Sequence, residues 1–221
     1  MLFTAGLGTR MRPLTDHIPK PLIEVGGCTL LDHALHLVRD AGLDRIAGNT
    51  HYLADKMGAA LAERGVRALH EPVLLDTGGG LRNAATTLGA PPYVTLNSDA
   101  VWVGPNPVPT ILQAWDPASM DALLVVVPRN RAISHPGEGD FRVDAAGRLR
   151  RGTDVVYTGL QIIDPALLDR IEEQVFSLNL AWDLIGARGR LFGHLYDGIW
   201  CDVGQPESIS AAEHVLAERD V

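Results

Sequence analysis

A glycine loop, a guanidinium and a stiffly held lysine lie together in the first 22 residues. An apolar run (Met1 to Ala5) stops at Gly6, a second glycine follows at Gly8, and Thr9, Arg10 and Arg12 come next. Glycine lets the backbone take positive φ and lets a ligand approach the N–H groups, so the segment presents a row of backbone donors beside two arginines. Lys20 stands between Pro19 and Pro21, which stiffen the chain and limit where its ammonium points. It is one of only two lysines, with Lys56, among 19 basic residues. This combination suits a polyphosphate. The loop is not GxxxxGK[ST], and Met11 occupies the third glycine position of GxGxxG, so neither a P-loop nor a dinucleotide fingerprint is present.

The elements that must position these groups follow in order. An apolar strand opens the chain. Thr29 and Asp32 read as a capping pair opening a helix that ends at Gly42, followed by a strand over 46–51, a helix over 54–64 and a strand over 66–71. A β-α-β-α-β order implies a largely parallel sheet with right-handed crossovers. Leu74 to Leu81 contains Thr77-Gly78-Gly79-Gly80 ahead of a predicted helix over 81–88, again bringing backbone N–H groups to a helix N-terminus. The strand 93–96 runs into Asn97-Ser98-Asp99, and a carboxylate just past a parallel strand is where open α/β sheets place their sites. Further on, a helix over 110–116, a strand over 122–127, a hairpin around residues 140–149 and a strand over 155–163 are expected. Helices over 165–173 and 180–187 follow, then a strand over 191–196, and a last helix opened by Pro206-Glu207.

The contiguous Ala5-Gly6-Leu7-Gly8-Thr9-Arg10-Met11-Arg12-Pro13-Leu14-Thr15, followed by Pro19-Lys20-Pro21-Leu22, resembles the signature of the sugar-1-phosphate nucleotidyltransferases. The resemblance continues through Asp76-Thr77-Gly78-Gly79-Gly80, Asn97-Ser98-Asp99 and Trp200-Cys201-Asp202-Val203-Gly204. It implies an α/β fold: a three-layer α/β/α Rossmann-like nucleotidyltransferase domain, with a mostly parallel mixed sheet and a small antiparallel sugar-binding lobe. Residues 1–221 would form one domain, with 1–127 mainly nucleotide-binding, 128–203 mainly sugar-binding and 204–221 a C-terminal helix. It further implies catalytic roles for Arg10 and Lys20, Mg²⁺ held by Asp99 and Asp202, and nucleotide contacts from Ala5, Gly6, Gly8, Thr9, Arg10, Asp76, Thr77, Gly78 and Gly79. Sugar contacts are expected from Asn97, Asp140, Thr158 and Gly159. Ser98 departs from the family's glycine, and the second lysine that many relatives offer the sugar phosphate is missing; Arg129, Arg131 and Arg142 are the candidates to replace it, while His135 reads as a bystander.

Within the family the chain looks most like the short bacterial N-acetylmuramate-1-phosphate uridylyltransferases, with His135-Pro136-Gly137-Glu138-Gly139-Asp140-Phe141-Arg142 adding to the match. The substrates implied are a nucleoside triphosphate, UTP, and a sugar-1-phosphate. Two alternatives stand: a mannose-1-phosphate guanylyltransferase, and a non-catalytic subunit that binds sugar nucleotides. Composition sets the outer bounds. At 221 residues, with 46% hydrophobic and 21% charged residues, the chain is long enough for a substantial core. A net charge of −8 argues against a nucleic-acid surface. No run reaches membrane-spanning length. Cys28 and Cys201 fit no metal spacing and read as small buried thiols in a reduced cytoplasm. A monomer or small homo-oligomer is expected. No signal peptide is read at the N-terminus, and relatives usually carry a few more residues before the first strand, which leaves open a start upstream of Met1.

Overall fold

The computed structural model describes residues 1–218. Its first half alternates strands and helices as the apolar periodicity dictates. β1 (Leu2–Phe3) leads into the glycine loop, and a short hairpin of β2 (Glu24–Val25) and β3 (Cys28–Thr29) precedes α1 (Leu30–Asp40). Thr29 caps α1, its hydroxyl accepting the Asp32 N–H at 3.1 Å. Then come β4 (Ala47–Thr50), α2 (Ala54–Glu63), β5 (Arg67–His70), α3 (Asp76–Leu88) and β6 (Tyr93–Asn97). β1 pairs in parallel with β4 and β6, and β4 with β5.

The second half is mixed. β7 (Ala100–Val103), α4 (Pro107–Ala114), β8 (Ala122–Pro128) and β9 (Ala132–Ile133) lead to the hairpin of β10 (Phe141–Val143) and β11 (Leu149–Arg151). The long β12 (Val155–Ile163) runs antiparallel to β6 on one edge and β8 on the other. After it come α5 (Leu178–Ala187), β13 (Leu191–Leu195), β14 (Ile199–Asp202) and α6 (Glu207–Ala217). β13 joins β8 in parallel, completing a nine-stranded sheet.

Alternate residues of β8 show why helices cover both faces. Leu124 and Val126 pack with α3 and α5, whereas Leu123, Val125 and Val127 pack with α1, α2 and α4. This is the three-layer arrangement that the sequence implies. A second small sheet, β7-β14-β9, rests on α6 through Val101, Cys201, Val203, Ala212 and Val215.

Two local expectations are corrected, and one pairing was not foreseen. The glycines of Thr77-Gly78-Gly79-Gly80 lie inside α3, whose first turn begins at Asp76, because residues 174–176 pack against them. The helix expected over 165–173 is a 3₁₀ turn, Pro165–Arg170, and the chain then runs irregularly over 171–177, bending at 174–175. β7 and β14 pair with each other, although neither forms a strand strong enough to be read alone. The expected C-terminal segment 204–221 contains α6, and its positions 219–221 lie outside the described residues.

Candidate active site

The glycine loop is built around a tight turn. Gly8 takes φ +64°, and a Cβ there would stand 2.9 Å from the Thr15 methyl group. The Thr15 hydroxyl donates to the Gly8 carbonyl at 2.7 Å, and Met11, fully buried, anchors the loop below. Thr9 and Arg10 open a 3₁₀ turn at the surface. Arg12 turns away to Asp16, 3.3 Å distant.

Lys20 is directed inward. Only 9% exposed, it donates from Nζ to Asp99 Oδ2 at 2.8 Å. Asp99 follows β6. Asp202 ends β14 and stands opposite Ala100 in the antiparallel pair with β7, which brings the two carboxylates together; the Val203 N–H, donating to the Asp99 carbonyl at 2.9 Å, ties the backbones there. Burial, then the facing Asp99 carboxylate, pushes the Asp202 carboxyl up to about 6, while Lys20 and Arg10 pull it down. Arg10 reaches this point across Gly204: a Cβ on Gly204 would meet its Nη1 and Asp202 Oδ1, each at 3.2 Å. Ser98, in the family's glycine position, is buried and donates to the Phe3 carbonyl at 2.7 Å, so its hydroxyl fastens β6 to β1.

Two cavities meet at this cluster. One, about 400 Å³, is lined by Ala5, Gly6, Lys20, Asn49, Leu74 and Val175. The other, about 310 Å³, is lined by Arg10, His135, Asp140, Tyr157, Gly159, Trp200 and Asp202, together with Ser177, Asn179 and Trp182. Asp76, Thr77, Asn97 and Asp99 border both. Asp76 holds a left-handed φ of +60° with Oδ1 accepting its neighbour's N–H (Thr77) at 2.6 Å, a strained position of the kind that clusters at binding clefts. Gly159 (φ +86°) brings β12 against Asn97, where a Cβ would approach to 2.7 Å.

Other expected residues are placed differently. Gly78 and Gly79 are buried, and both N–H groups donate to the Phe176 carbonyl, at 2.9 and 3.1 Å. They serve the packing of α3 against residues 174–176, while Asp76 and Thr77 border both cavities. Thr158 is fully buried and donates to the Val125 carbonyl at 2.8 Å, holding β12 to β8 across an irregular register instead of facing the cavity. Arg129 bonds the Ala132 and His135 carbonyls, Arg131 that of Asp197, and Arg142 pairs with Asp154. The arginine in the second cavity is therefore Arg10. His135, read as a bystander, lines that cavity with its ring 5.9 Å from Trp200, and burial lowers its pKa. Residues 175–177 carried no sequence signal, since an irregular segment without periodicity or motif has none to give, and α5 begins at Leu178, two residues before the expected helix. Cys28 and Cys201 are free; Cys28 is only half-buried, and burial pushes the Cys201 thiol up to about 11.

The chain matches the MobA-like NTP transferase domain over residues 1–190. It is 35% identical to the N-acetylmuramate alpha-1-phosphate uridylyltransferase of Caulobacter vibrioides, over 99% of this chain and 96% of that one. Identity to the mannose-1-phosphate guanyltransferase beta-B of Xenopus laevis is 27%, over 94% of this chain and 61% of that protein. In fold it is similar to a crystal structure of a putative glucose-1-phosphate thymidylyltransferase from Bacillus anthracis, with a TM-score of 0.81 and 16% identity across 100% of this chain and 94% of that one. Matches this long, over a cleft where a lysine and an arginine meet two carboxylates, place the chain in the MobA-like NTP transferase family, with the sugar-1-phosphate nucleotidyltransferases.

Proposed function

We propose that the chain transfers UMP from UTP to N-acetylmuramate-1-phosphate, releasing pyrophosphate. The observation that carries this reading is the meeting of Arg10, Lys20, Asp99 and Asp202 at the junction of two cavities. The smaller-residue cavity beside the glycine loop suits the nucleoside, and the cavity walled by aromatic and polar side chains suits a sugar. The choice of UTP and of this sugar rests on the 35% identity to the Caulobacter enzyme.

The reaction joins two polyanions, so charge neutralisation and alignment are its main demands. A sugar-phosphate oxygen attacks the α-phosphorus as the bond to pyrophosphate breaks, and the leaving group carries the charge away. Lys20, held by Asp99, is a fixed ammonium beside the reacting phosphates, and Arg10 meets phosphate charge from the opposite wall. Asn97 and Asp140 border the sugar side, Asp140 with its other contact, the Tyr157 N–H, at 2.8 Å.

The residues fit a hard divalent ion such as Mg²⁺. Burial first, and then the facing Asp99 carboxylate, raise Asp202, and a bound cation would favour both carboxylates in their charged form. Among the described residues no third acid or imidazole joins them in a ligating group, which matches an ion completed by substrate phosphates and water rather than an all-protein cage. When bound, the ion would neutralise phosphate charge and align the reacting groups. No helix among the described residues is long and apolar enough to cross a membrane; a cytoplasmic site of action belongs to the proposal because UTP is drawn from there.

Pyrophosphate release should be measured with UTP and GTP against a panel of N-acetylmuramate-, N-acetylglucosamine- and mannose-1-phosphate, with Mg²⁺. The highest kcat/KM is expected for UTP with N-acetylmuramate-1-phosphate. A higher value for GTP with mannose-1-phosphate would replace this reading with the one favoured by the 27% identity to the Xenopus enzyme. Binding without turnover of any pair would make the chain a non-catalytic sugar-nucleotide binder.

A further inference from the structure

Between the 3₁₀ turn Pro165–Arg170 and α5 the chain runs as an irregular strap, residues 171–177, that bends at 174–175. Val175 from this strap lines the cavity beside the glycine loop, and Ser177, with Leu178 and Asn179 of the first turn of α5, lines the other. One short segment therefore forms a wall of both cavities. It has no sheet partner to fix it; its position comes from hydrogen bonds to α3.

Those bonds are unusually many for an irregular segment. The Phe176 N–H donates to the Leu75 carbonyl at 3.2 Å, the Phe176 carbonyl accepts from Gly78 and Gly79, and the Leu178 N–H donates to the Thr77 hydroxyl at 3.0 Å. The first half of the strap, anchored in the core by Ile171, is also gripped by one side chain. Arg82, on α3, donates from Nη1 to the carbonyls of Leu168 and Ile171, at 3.2 and 2.6 Å, and from Nη2 to that of Glu173 at 2.6 Å. Its guanidinium carbon also stands 4.7 Å from the centre of the Phe176 ring. A planar guanidinium sends its donors in fixed directions while its face lies on the ring, a geometry that a lysine ammonium reproduces only in part. Arg82 lines neither cavity.

We propose that residues 175–179 are a shared substrate wall, and that Arg82 is the positioning residue that sets it for nucleotide and sugar phosphate together. This rests on the reading that the two cavities take those two substrates. Because the wall binds ground state and transition state alike, disturbing it acts on KM more than on kcat.

The test compares wild type with Arg82→Lys and Arg82→Gln, measuring KM for UTP and for the sugar-1-phosphate, kcat and Tm. Each KM is expected to rise about tenfold in Arg82→Gln, with kcat changed by no more than about twofold, and Arg82→Lys to fall between it and wild type. A variant that melts early but keeps both wild-type KM values would make Arg82 a structural residue only and overturn the proposal. A rise in KM for one substrate alone would overturn the shared wall. If Arg82→Gln does not fold, Arg82→Lys and Val175→Ala decide: unchanged KM values in both sink the idea. Absence of turnover in wild type with every substrate pair would instead refute the assignment of the cavities, and is separable because it precedes any substitution.

Discussion

Replacing Lys20 with methionine removes the one ammonium in the cleft while keeping most of the side chain's bulk. In the fold, Nζ lies 2.8 Å from Asp99 Oδ2; the lysine side chain is 11% exposed and that of Asp99 33%. Breaking a fully buried pair from one side costs roughly 3–5 kcal/mol because a charge is stranded. Here water reaches the stranded carboxylate, so about 1–2 kcal/mol is expected. For a chain of this length that lowers Tm by roughly 2–8 °C and leaves the protein folded at assay temperature. Turnover should suffer far more. A contact that strengthens as charge develops on the reacting phosphates appears in kcat, and losing one such donor costs about a hundredfold. Lys20→Arg should recover only part of this, because a planar fork does not sit where a compact ammonium sat. Pyrophosphate release at saturating substrate and a thermal melt, run on the same preparations, give both numbers. A Lys20→Met protein with kcat within a few-fold of wild type, or one whose activity falls only in step with its unfolding, would refute the reasoning.

Asp99→Asn and Asp202→Asn should each lower kcat by about a hundredfold or more, and chelation by EDTA should abolish turnover; near-normal rates in both variants would remove the metal from the scheme. Asp32 is held near 2 by the Arg64 guanidinium, at 2.6 and 2.9 Å, against an ordinary 3.8, with Thr29 assisting. Its stabilisation is thus complete above about pH 4 and lost as pH falls towards 2, so Asp32→Asn should lower unfolding free energy by about 2 kcal/mol at pH 7 and by less at pH 3; an equal loss at both pH values in urea melts would rule this out. Gly79→Ala would place a Cβ 2.5 Å from the Gln174 carbonyl oxygen, and since backbone cannot rotate away, the strap should shift and KM for nucleotide rise; a variant with wild-type KM and Tm would contradict the packing described.

The glycine loop was legible because its chemistry is local. Gly8 needs a left-handed φ, Lys20 is fixed by its flanking prolines, and both requirements are written in adjacent residues. The parallel strands and the helices α1 and α2 were legible through periodicity, to within a residue or two at their ends, whereas α3 begins five residues before its expected start. What escaped was settled at a distance. Gly78 and Gly79 suit both a ligand loop and a helix packed against another backbone, and only Phe176 and Gln174 decide between them. Thr158 reads as a site residue by its neighbours, yet Val125 takes its hydroxyl. Asp99 and Asp202 were readable as a pair only through resemblance, since their juxtaposition comes from β7 and β14, each short and each dependent on the other.

That pairing has a consequence for how the molecule comes into being. β14 lies close to the C-terminus, and the strand it completes, β7, was made much earlier. The parallel strands and the glycine loop can assemble while the chain is still emerging from the ribosome, but Asp202 joins Asp99 only when nearly all of the sequence is available. Long-range closure of this kind is slow relative to local helix formation. A nascent or C-terminally truncated chain would thus carry the glycine loop, Lys20 and Asp99 without Asp202 beside them.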